Sequence, residues 1–415
     1  MRASTVFPVL IPTLTAIPMT AFNARALASL VTVAGNALSR RLNVILTALA
    51  QAFEDNNDDE LSSAVDEALH ASLSSISDDE GLHILMMLLI DWSVKKYYQT
   101  QWMLTTLRRA KHETPRRRVT ACRLFAIFCQ ETELDGSLYR VDWIRQLVSL
   151  LEDREKSVHT SACEALDAFV KSLPKDELEP LVVPLRRTIE GTGAPGAIVP
   201  GFSLAKGVTP MVPIIIAGLT TGNNEQRENA AYAIGDLVER TEESAIKPSV
   251  VPFTGPLIRV ATQATTYPPA VKIAILSALT SMLERIPAFV KPFFPQLQRT
   301  FVKSASDPAS ASVRKKAAVA LSALMKNQPR VDPVITELIN TAKASDDAVA
   351  SSIVLALAKV VQSAWQNMAD KSKEACVELI SEAFREDREG ETLSCILTNM
   401  TDGYRQNRIT NRWDF

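Results

Sequence analysis

Apolar residues recur at i, i+4, i+5 and i+8 along most of this 415-residue chain. Val313, Ala317, Ala318 and Leu321 show the pattern, as do Phe22, Ala26, Leu27 and Leu30. It returns at Val158, Ala162, Cys163, Leu166, at Val271, Ile275, Leu276, Leu279 and at Val349, Ile353, Val354, Leu357. Gln226, Ala230, Ala231 and Ile234 repeat it with one polar member. These offsets fall on one face of an α-helix. From Gln226 to Val349 the copies sit about 36 to 45 residues apart, the period of paired-helix repeats. The expected fold is all-α, an α-solenoid of HEAT-type helix pairs with an armadillo-like superhelix.

Punctuation between the periodic stretches sets the predicted elements. Ser4–Ala16 and Ala21–Leu38 read as a first pair, Arg40–Glu54 and Asp59–Ser75 as a second. The run Asn56-Asn57-Asp58-Asp59 between them offers turn and N-cap residues. A third pair opens at Ser77, where Ser-Asp-Asp-Glu reads as a capping box. Periodicity resumes with Val141–Glu152 and Glu155–Leu173, and Pro174 with its acidic turn opens a helix over Asp176–Ile189. Gly191–Lys206 is the longest stretch without helical pattern. Further on, Asn223 or Asn224, Asp307 before Pro308, and Ser345-Asp346-Asp347 read as helix starts, and Asp370–Arg385 is the last good helix. The domain reading is repeats over 1–92, a basic and aromatic insert over 93–118, and repeats over 119–190. A loop follows at 191–206, then repeats over 207–388 and a disordered tail at 389–415. The first helix exposes an apolar face at Val6–Leu14, so the chain reads as a slice of a longer array.

Composition narrows the function classes. Apolar residues make up 47% but aromatics only 6%, as suits closely packed Ala- and Leu-rich helices. Net charge is −2, which gives no whole-chain electrostatic case for nucleic acid, and no DNA partner is expected. The cysteines Cys122, Cys129, Cys163, Cys376 and Cys395 are odd in number and irregularly spaced, as expected of reduced core thiols. By inspection no apolar run reaches the ~20 residues that span a bilayer, and Leu82–Ile90 and Met211–Leu219 fit buried helices. A cytoplasmic protein without a membrane partner is expected.

Chemistry-bearing motifs are scarce. Gly191-Thr-Gly193-Ala-Pro-Gly196 matches G-x-G-x-x-G, whose glycines let backbone approach a pyrophosphate after a strand. Here the preceding segment is helical in pattern, Pro195 interrupts the motif, and no acidic residue follows until Glu225. An inter-repeat loop is the expectation. His70, His83, His112 and His159 are scattered and lack metal-site spacing with the cysteines. No catalytic residue, cofactor or metal is expected, and the chain reads as a non-enzyme. Basic clusters remain as partner-binding candidates. Arg108, Arg109, Lys111, Arg116, Arg117 and Arg118 follow the aromatics Tyr97, Tyr98 and Trp102, a mix that suits RNA or an acidic protein. Arg314, Lys315 and Lys316 open a predicted inner helix, and Lys206 and Arg259 complete the set. For each, pairing with a carboxylate inside the repeat is the plainer role.

The segments GFSLAKGVTPMVPIIIAGLTTGNNEQRENAAYAIGDLVERT, SAIKPSVVPFTGPLIRV and LERIPAFVKPFFPQLQRTFVKSASDPASASVRKKAAVAL go beyond what helix packing demands. With the opening VLIPTLTAIPMTAFNARALASLVTVAGNALSRRLNVILTAL, they resemble the very large HEAT-repeat translational activator of the amino-acid-starvation response. The resemblance runs over residues 4–92 and 114–385. It departs at Ala205, where that family has Pro in GFxLPKG. What it implies is a scaffold that associates with ribosomes and holds the RWD domain of the initiation factor 2 alpha kinase. The alternative is a generic HEAT or TOG-type scaffold, such as a nuclear transport receptor, a phosphatase scaffold or a tubulin binder.

Overall fold

The structure, a computed structural model, describes residues 3–55, 58–93, 115–131, 136–194, 196–263, 267–328 and 330–386. Among them every regular element is an α-helix or a short 3-10 turn. The expected insert core at 94–114, with Arg108, Arg109, Lys111 and its aromatics, lies outside the described residues, as do Cys395 and the tail from 387.

Two compact units divide the chain: residues 1–214 with 240–245, and residues 215–239 with 246–415. The first contains α1 (Ala3–Leu14), α2 (Ala21–Ala34), α3 (Leu42–Asp55), α4 (Asp59–Ser74), α5 (Asp79–Ser93), α6 (Pro115–Glu131), α7 (Arg140–Leu150), α8 (Lys156–Ser172) and α9 (Val182–Gly191). Its even-numbered helices stack α2 on α4, α4 on α6 and α6 on α8, while α3, α5, α7 and α9 form the other layer. Into the gap go the apolar stripes, such as Val158, Ala162 and Leu166 of α8, all fully buried. An aromatic cluster closes the middle: the rings of Phe125 and Trp143 stack 3.8 Å apart, and the Trp143 Nε1–H donates to the Met86 sulfur with nitrogen and sulfur 2.8 Å apart.

The second unit follows the same rule. α10 (Val212–Thr220) leads into it. α11 (Asn224–Arg240), α12 (Glu243–Thr262), α13 (Pro269–Arg285), α14 (Pro287–Val290), α15 (Phe294–Ala305), α16 (Ala311–Lys326), α17 (Asp332–Ala344), α18 (Asp347–Ala364) and α19 (Asp370–Glu386) follow. Here α13, α16 and α18 stack in series, and α15 packs across α16 as α17 and α19 pack across α18. The stripes at Val271–Leu279, Val313–Leu321 and Val349–Leu357 point into that layer. Asp347–Asn367 is long and apolar enough to cross a bilayer by length and composition, contrary to the reading by inspection; half of that window is buried against the neighbouring helices.

Caps explain several boundaries. Asn223 and Gln226 form a reciprocal capping box at 2.9 and 2.7 Å, Asp346 accepts from the Val349 N–H, and Asp58 accepts from that of Glu60. Four sequence expectations are corrected. On α2 the buried stripe is Ala24, Leu27, Ala28 and Val31, with Phe22 exposed, because the helix is rotated from the predicted register. Asp78, not Ser77, caps α5: its carboxylate accepts from the Gly81 N–H at 2.8 Å and from the Ser39 hydroxyl. Ser310, not Asp307, caps α16, since Asp307 sits a full turn earlier in an Asx turn with Ala309 and Ser310. The helix expected over Asp176–Ile189 starts only at Val182. Two 3-10 turns precede it, with Pro180, which lacks an N–H, in the second.

Candidate partner-binding surface

The expected loop at Gly191–Lys206 is not a free surface loop. Val199 and Phe202 are fully buried, and the Val199 N–H donates to the Arg240 carbonyl at 2.9 Å. Gly193 and Gly196 take φ values of 65° and 76°, left-handed backbone that glycine adopts cheaply. Gly201 lies on Leu151: a Cβ there would stand 2.7 Å from the Leu151 carbonyl oxygen. At Gly207 a Cβ would stand 2.0 Å from the Gly201 carbonyl. The two glycines of GFSLAKG are therefore required by a tight corner. Arg240 closes it, its guanidinium donating to the carbonyls of Thr192 and Glu190 at 3.2 and 3.0 Å. Lys206 stands exposed at the end, while its carbonyl accepts from the Cys163 thiol at 3.5 Å.

The basic candidates separate by burial. Arg118 is turned inward: its Nε lies 2.9 Å from Asp153 Oδ2, and both side chains are almost wholly buried. Beside it, Arg116 donates to the Glu54 carbonyl and Arg117 lies 3.7 Å from the Glu54 carboxylate, so both exposed side chains tether the start of α6 to the end of α3. Arg314 in the second unit is also buried. It donates to the Ser352 hydroxyl and the Asp307 carbonyl, each at 2.8 Å, and to the Ala348 carbonyl at 3.4 Å. Its neighbours differ, Lys315 being exposed and Lys316 half-buried.

A recurrent bridge joins one repeat to the next in both units. In each unit a corner aspartate takes a cation from the preceding helix of the stack: Arg118 to Asp153 and Lys272 to Asp307, both 35 residues apart. Lys272 Nζ lies 2.6 Å from Asp307 Oδ2. Desolvation works to raise the Asp307 carboxyl, but Lys272 and the N–H groups of Ala309 and Ser310 outweigh it and hold the pKa below the ordinary value. Burial pushes the thiols of Cys122 and Cys376 up to about 12, which makes them packing residues without nucleophilic character. Among the described residues, no three His, Cys, Asp or Glu side chains are grouped as metal ligands.

Arg259 lies at the centre of a different arrangement. It is exposed near the end of α12, without an ion pair or hydrogen bond to its guanidinium among the described residues. From Ile246 to Thr262 and from Pro287 to Ala305 the sequence holds Lys247, Arg259, Lys291, Arg299 and Lys303 and no Asp or Glu. All five cations are exposed. α12 and the α14–α15 segment lie side by side. Lys303 Nζ reaches the Thr262 carbonyl at 3.1 Å, and Lys247 Nζ stands 5.4 Å from the Phe289 ring centre. The result is a one-sign outer layer, with the exposed Val251 among its cations. Sequence reading singled out Arg259 but missed the other four. The signal was present as an acid-free run, but it appears as a face only when the two helices are placed together.

Helix pairs stacked in two layers, with corner aspartates bridged to the preceding repeat, define a HEAT-repeat α-solenoid. Residues 6–206 match the family of HEAT repeats described as "Stalled ribosome sensor GCN1-like". Over residues 6–206 the chain belongs to this GCN1-like HEAT-repeat family. It is 38% identical over 383 residues to the eIF-2-alpha kinase activator GCN1 of Saccharomyces cerevisiae, a match over 92% of this chain and 14% of the relative. It is 34% identical over 370 residues to the stalled ribosome sensor GCN1 of Homo sapiens, over 88% of this chain and 13% of that protein. The chain thus spans about one seventh of the length of these relatives. A solved Kap95p structure with RanGDP aligns with 98% of this chain and 58% of its own, at 14% identity and a TM-score of 0.45.

Proposed function

We propose that this chain is a non-catalytic scaffold segment acting in cytoplasmic translational control. In this reading it binds ribosomes or the RWD domain of the initiation factor 2 alpha kinase in the amino-acid-starvation response. The observation that carries the proposal is the basic layer of α14, α15 and residues 246–262 of α12, which hold no Asp or Glu, with Arg259 unpaired on it among the described residues. A guanidinium is suited to bidentate pairing with a partner carboxylate. Support comes also from the relatives, whose names are those of a kinase activator and a ribosome sensor. Arg259, Lys206 and Lys315 are exposed members of the candidate set, Arg116 and Arg117 are exposed but held to Glu54, and Arg314 and Arg118 serve the scaffold.

The test is a pull-down of the purified RWD domain, and of ribosomes from cytosolic extract, by the intact chain. Arg259→Ala is expected to lower retention of the domain with an unchanged melting temperature. Arg314→Ala is expected to lower the melting temperature first. Failure of the unmutated chain to retain either partner overturns the proposal.

A further inference from the structure

The outer face of α12 carries residues that a solvent-facing helix ordinarily avoids. Pro248, Pro252 and Pro256 stand inside the helix at intervals of four, and Gly255 lies between the last two. Proline and glycine have the lowest helix propensities, and one proline suffices for a bend. Packing does not call for the glycine, since a Cβ built at Gly255 would meet no atom within 4 Å. Each proline also lacks the N–H that would donate to the carbonyl four residues earlier. The carbonyls of Pro248 and Pro252 have therefore lost their helical donors at positions 252 and 256, and no side chain replaces them among the described residues. Pro248 and Pro252 are exposed, and Val251 between them is 63% exposed. Seven residues make almost two helical turns, so Arg259 follows Pro252 on the same face, about 10 Å further along the axis.

We propose that this stripe seats a tryptophan of an acidic partner segment, with a neighbouring carboxylate of that segment on Arg259. The carboxylate half rests on the basic layer of the proposed function. An indole is an apolar plate with one N–H donor and no acceptor. Its face covers the rings of Pro248 and Pro252 and the Val251 side chain, and its N–H supplies the donor that the Pro248 or Pro252 carbonyl lacks. Gly255 leaves the backbone open to close approach, an ordinary use of glycine beneath a ligand. A phenylalanine would cover the same area and leave the carbonyl unmet, which is costly once water is excluded. The surrounding charge selects an acidic segment over a neutral one, because residues 246–262 and 287–305 hold five exposed cations and no Asp or Glu.

Fluorescence anisotropy on the intact chain, at physiological salt, compares labelled 12-mers that repeat Glu-Ser-Trp, Glu-Ser-Phe or Glu-Ser-Ala with a 12-mer of uridine. The Trp repeat is expected to bind roughly tenfold tighter than the Ala repeat, and tighter than the Phe repeat. Pro252→Ala returns an N–H to the Pro248 carbonyl, and Gly255→Leu fills the stripe. Each should weaken the Trp repeat roughly tenfold, to the level of the Ala repeat, while the melting temperature rises or holds. That opposition marks a surface kept open for a partner, because a merely structural role lowers both together. Arg259→Ala should weaken all three peptides alike. Pro12→Ala restores the same kind of donor on α1, which carries Pro8 and Pro12 at the same spacing in the first unit, and should leave affinity unchanged. Equal affinity for the Trp repeat and either control peptide overturns the inference. So does unchanged Trp affinity in Pro252→Ala and Gly255→Leu, a loss of binding that tracks a lowered melting temperature, or binding of uridine in place of the Trp repeat. Failure to retain the RWD domain, with the peptides in the expected order, removes that partner and leaves the stripe. Retention of the domain with equal peptide affinities does the reverse.

Discussion

Asp307→Ala removes the acceptor that Lys272, Ala309 and Ser310 share, and its cost can be worked from the contacts. The carboxylate accepts from Lys272 Nζ at 2.6 Å and from the N–H groups of Ala309 and Ser310 at 2.9 and 3.1 Å. Its side chain is 7% exposed and that of Lys272 is 12%. Truncation therefore strands an ammonium in a dry site and leaves two turn donors unmet. Breaking a buried pair from one side costs about 3–5 kcal/mol, far above the ~0–1 kcal/mol of a surface pair. Adding Lys272→Met removes the stranded charge and should return about 2 kcal/mol, leaving the cost of the two turn donors. Urea unfolding of the four proteins of the cycle gives the coupling energy. Hydrogen exchange at the start of α16 checks locality, because repeat arrays depart from two-state behaviour. The linkage sign is fixed by the lowered Asp307 pKa. Its stabilisation is present above the unfolded value and lost as pH falls through the folded one. Below the ordinary value of 3.8 the parent should lose more stability than Asp307→Asn. A coupling under ~0.5 kcal/mol would place the pair in effective contact with solvent and refute the reasoning.

Three further outcomes are expected. Leu321→Ala, at a fully buried site on α16, should cost ~2–5 kcal/mol in urea unfolding; a cost under ~1 would mean the stripe is not packed as described. Gly201→Ala should destabilise strongly because its Cβ meets Leu151, whereas Gly255→Ala on α12 opens onto free space and should stabilise by ~0.5–1 kcal/mol; equal effects in thermal melts would sink the steric account. Titration with NAD or ATP should give no saturable signal, since the Gly193 and Gly196 turns serve a packed corner; micromolar binding abolished by Gly193→Val would overturn that reading.

The helix stack was legible because burial leaves a period in the sequence. Val313, Ala317, Ala318 and Leu321 could be assigned to one face from spacing alone, and all four are buried. Phe22 fits the same template yet stands exposed on α2, because the template measures spacing and not which of two adjacent faces meets a neighbour. The corner at Gly191–Lys206 was legible as non-helical but not as core. Val199 is buried while its neighbour Ile198 is exposed, Phe202 stands alone between Gly201 and Ser203, and no periodicity marks an irregular segment that folds back on Leu151.

Charge was the least legible property, and Arg314 against Arg259 shows why. Each precedes or follows an apolar stripe, and nothing local in sequence tells them apart. Arg314 sits at the first turn of an inner helix, where the corner carbonyl of Asp307 and the Ser352 hydroxyl of the next repeat surround it. Arg259 sits at the last turn of an outer helix, whose neighbours α14 and α15 supply only more cations. The difference lies in the layer and not in the residue. Acidic residues retained at the corners, as Asp153 and Asp307, neutralise the inner arginine and lysine and fix one repeat to the next. Residues 246–262 and 287–305 keep five exposed cations and no carboxylate; Lys303 meets the Thr262 carbonyl and Lys247 the Phe289 ring, whereas Arg259 has no such contact among the described residues. Self-repulsion among exposed cations costs stability. A partner of opposite charge, as the proposed function supposes, would relieve that repulsion.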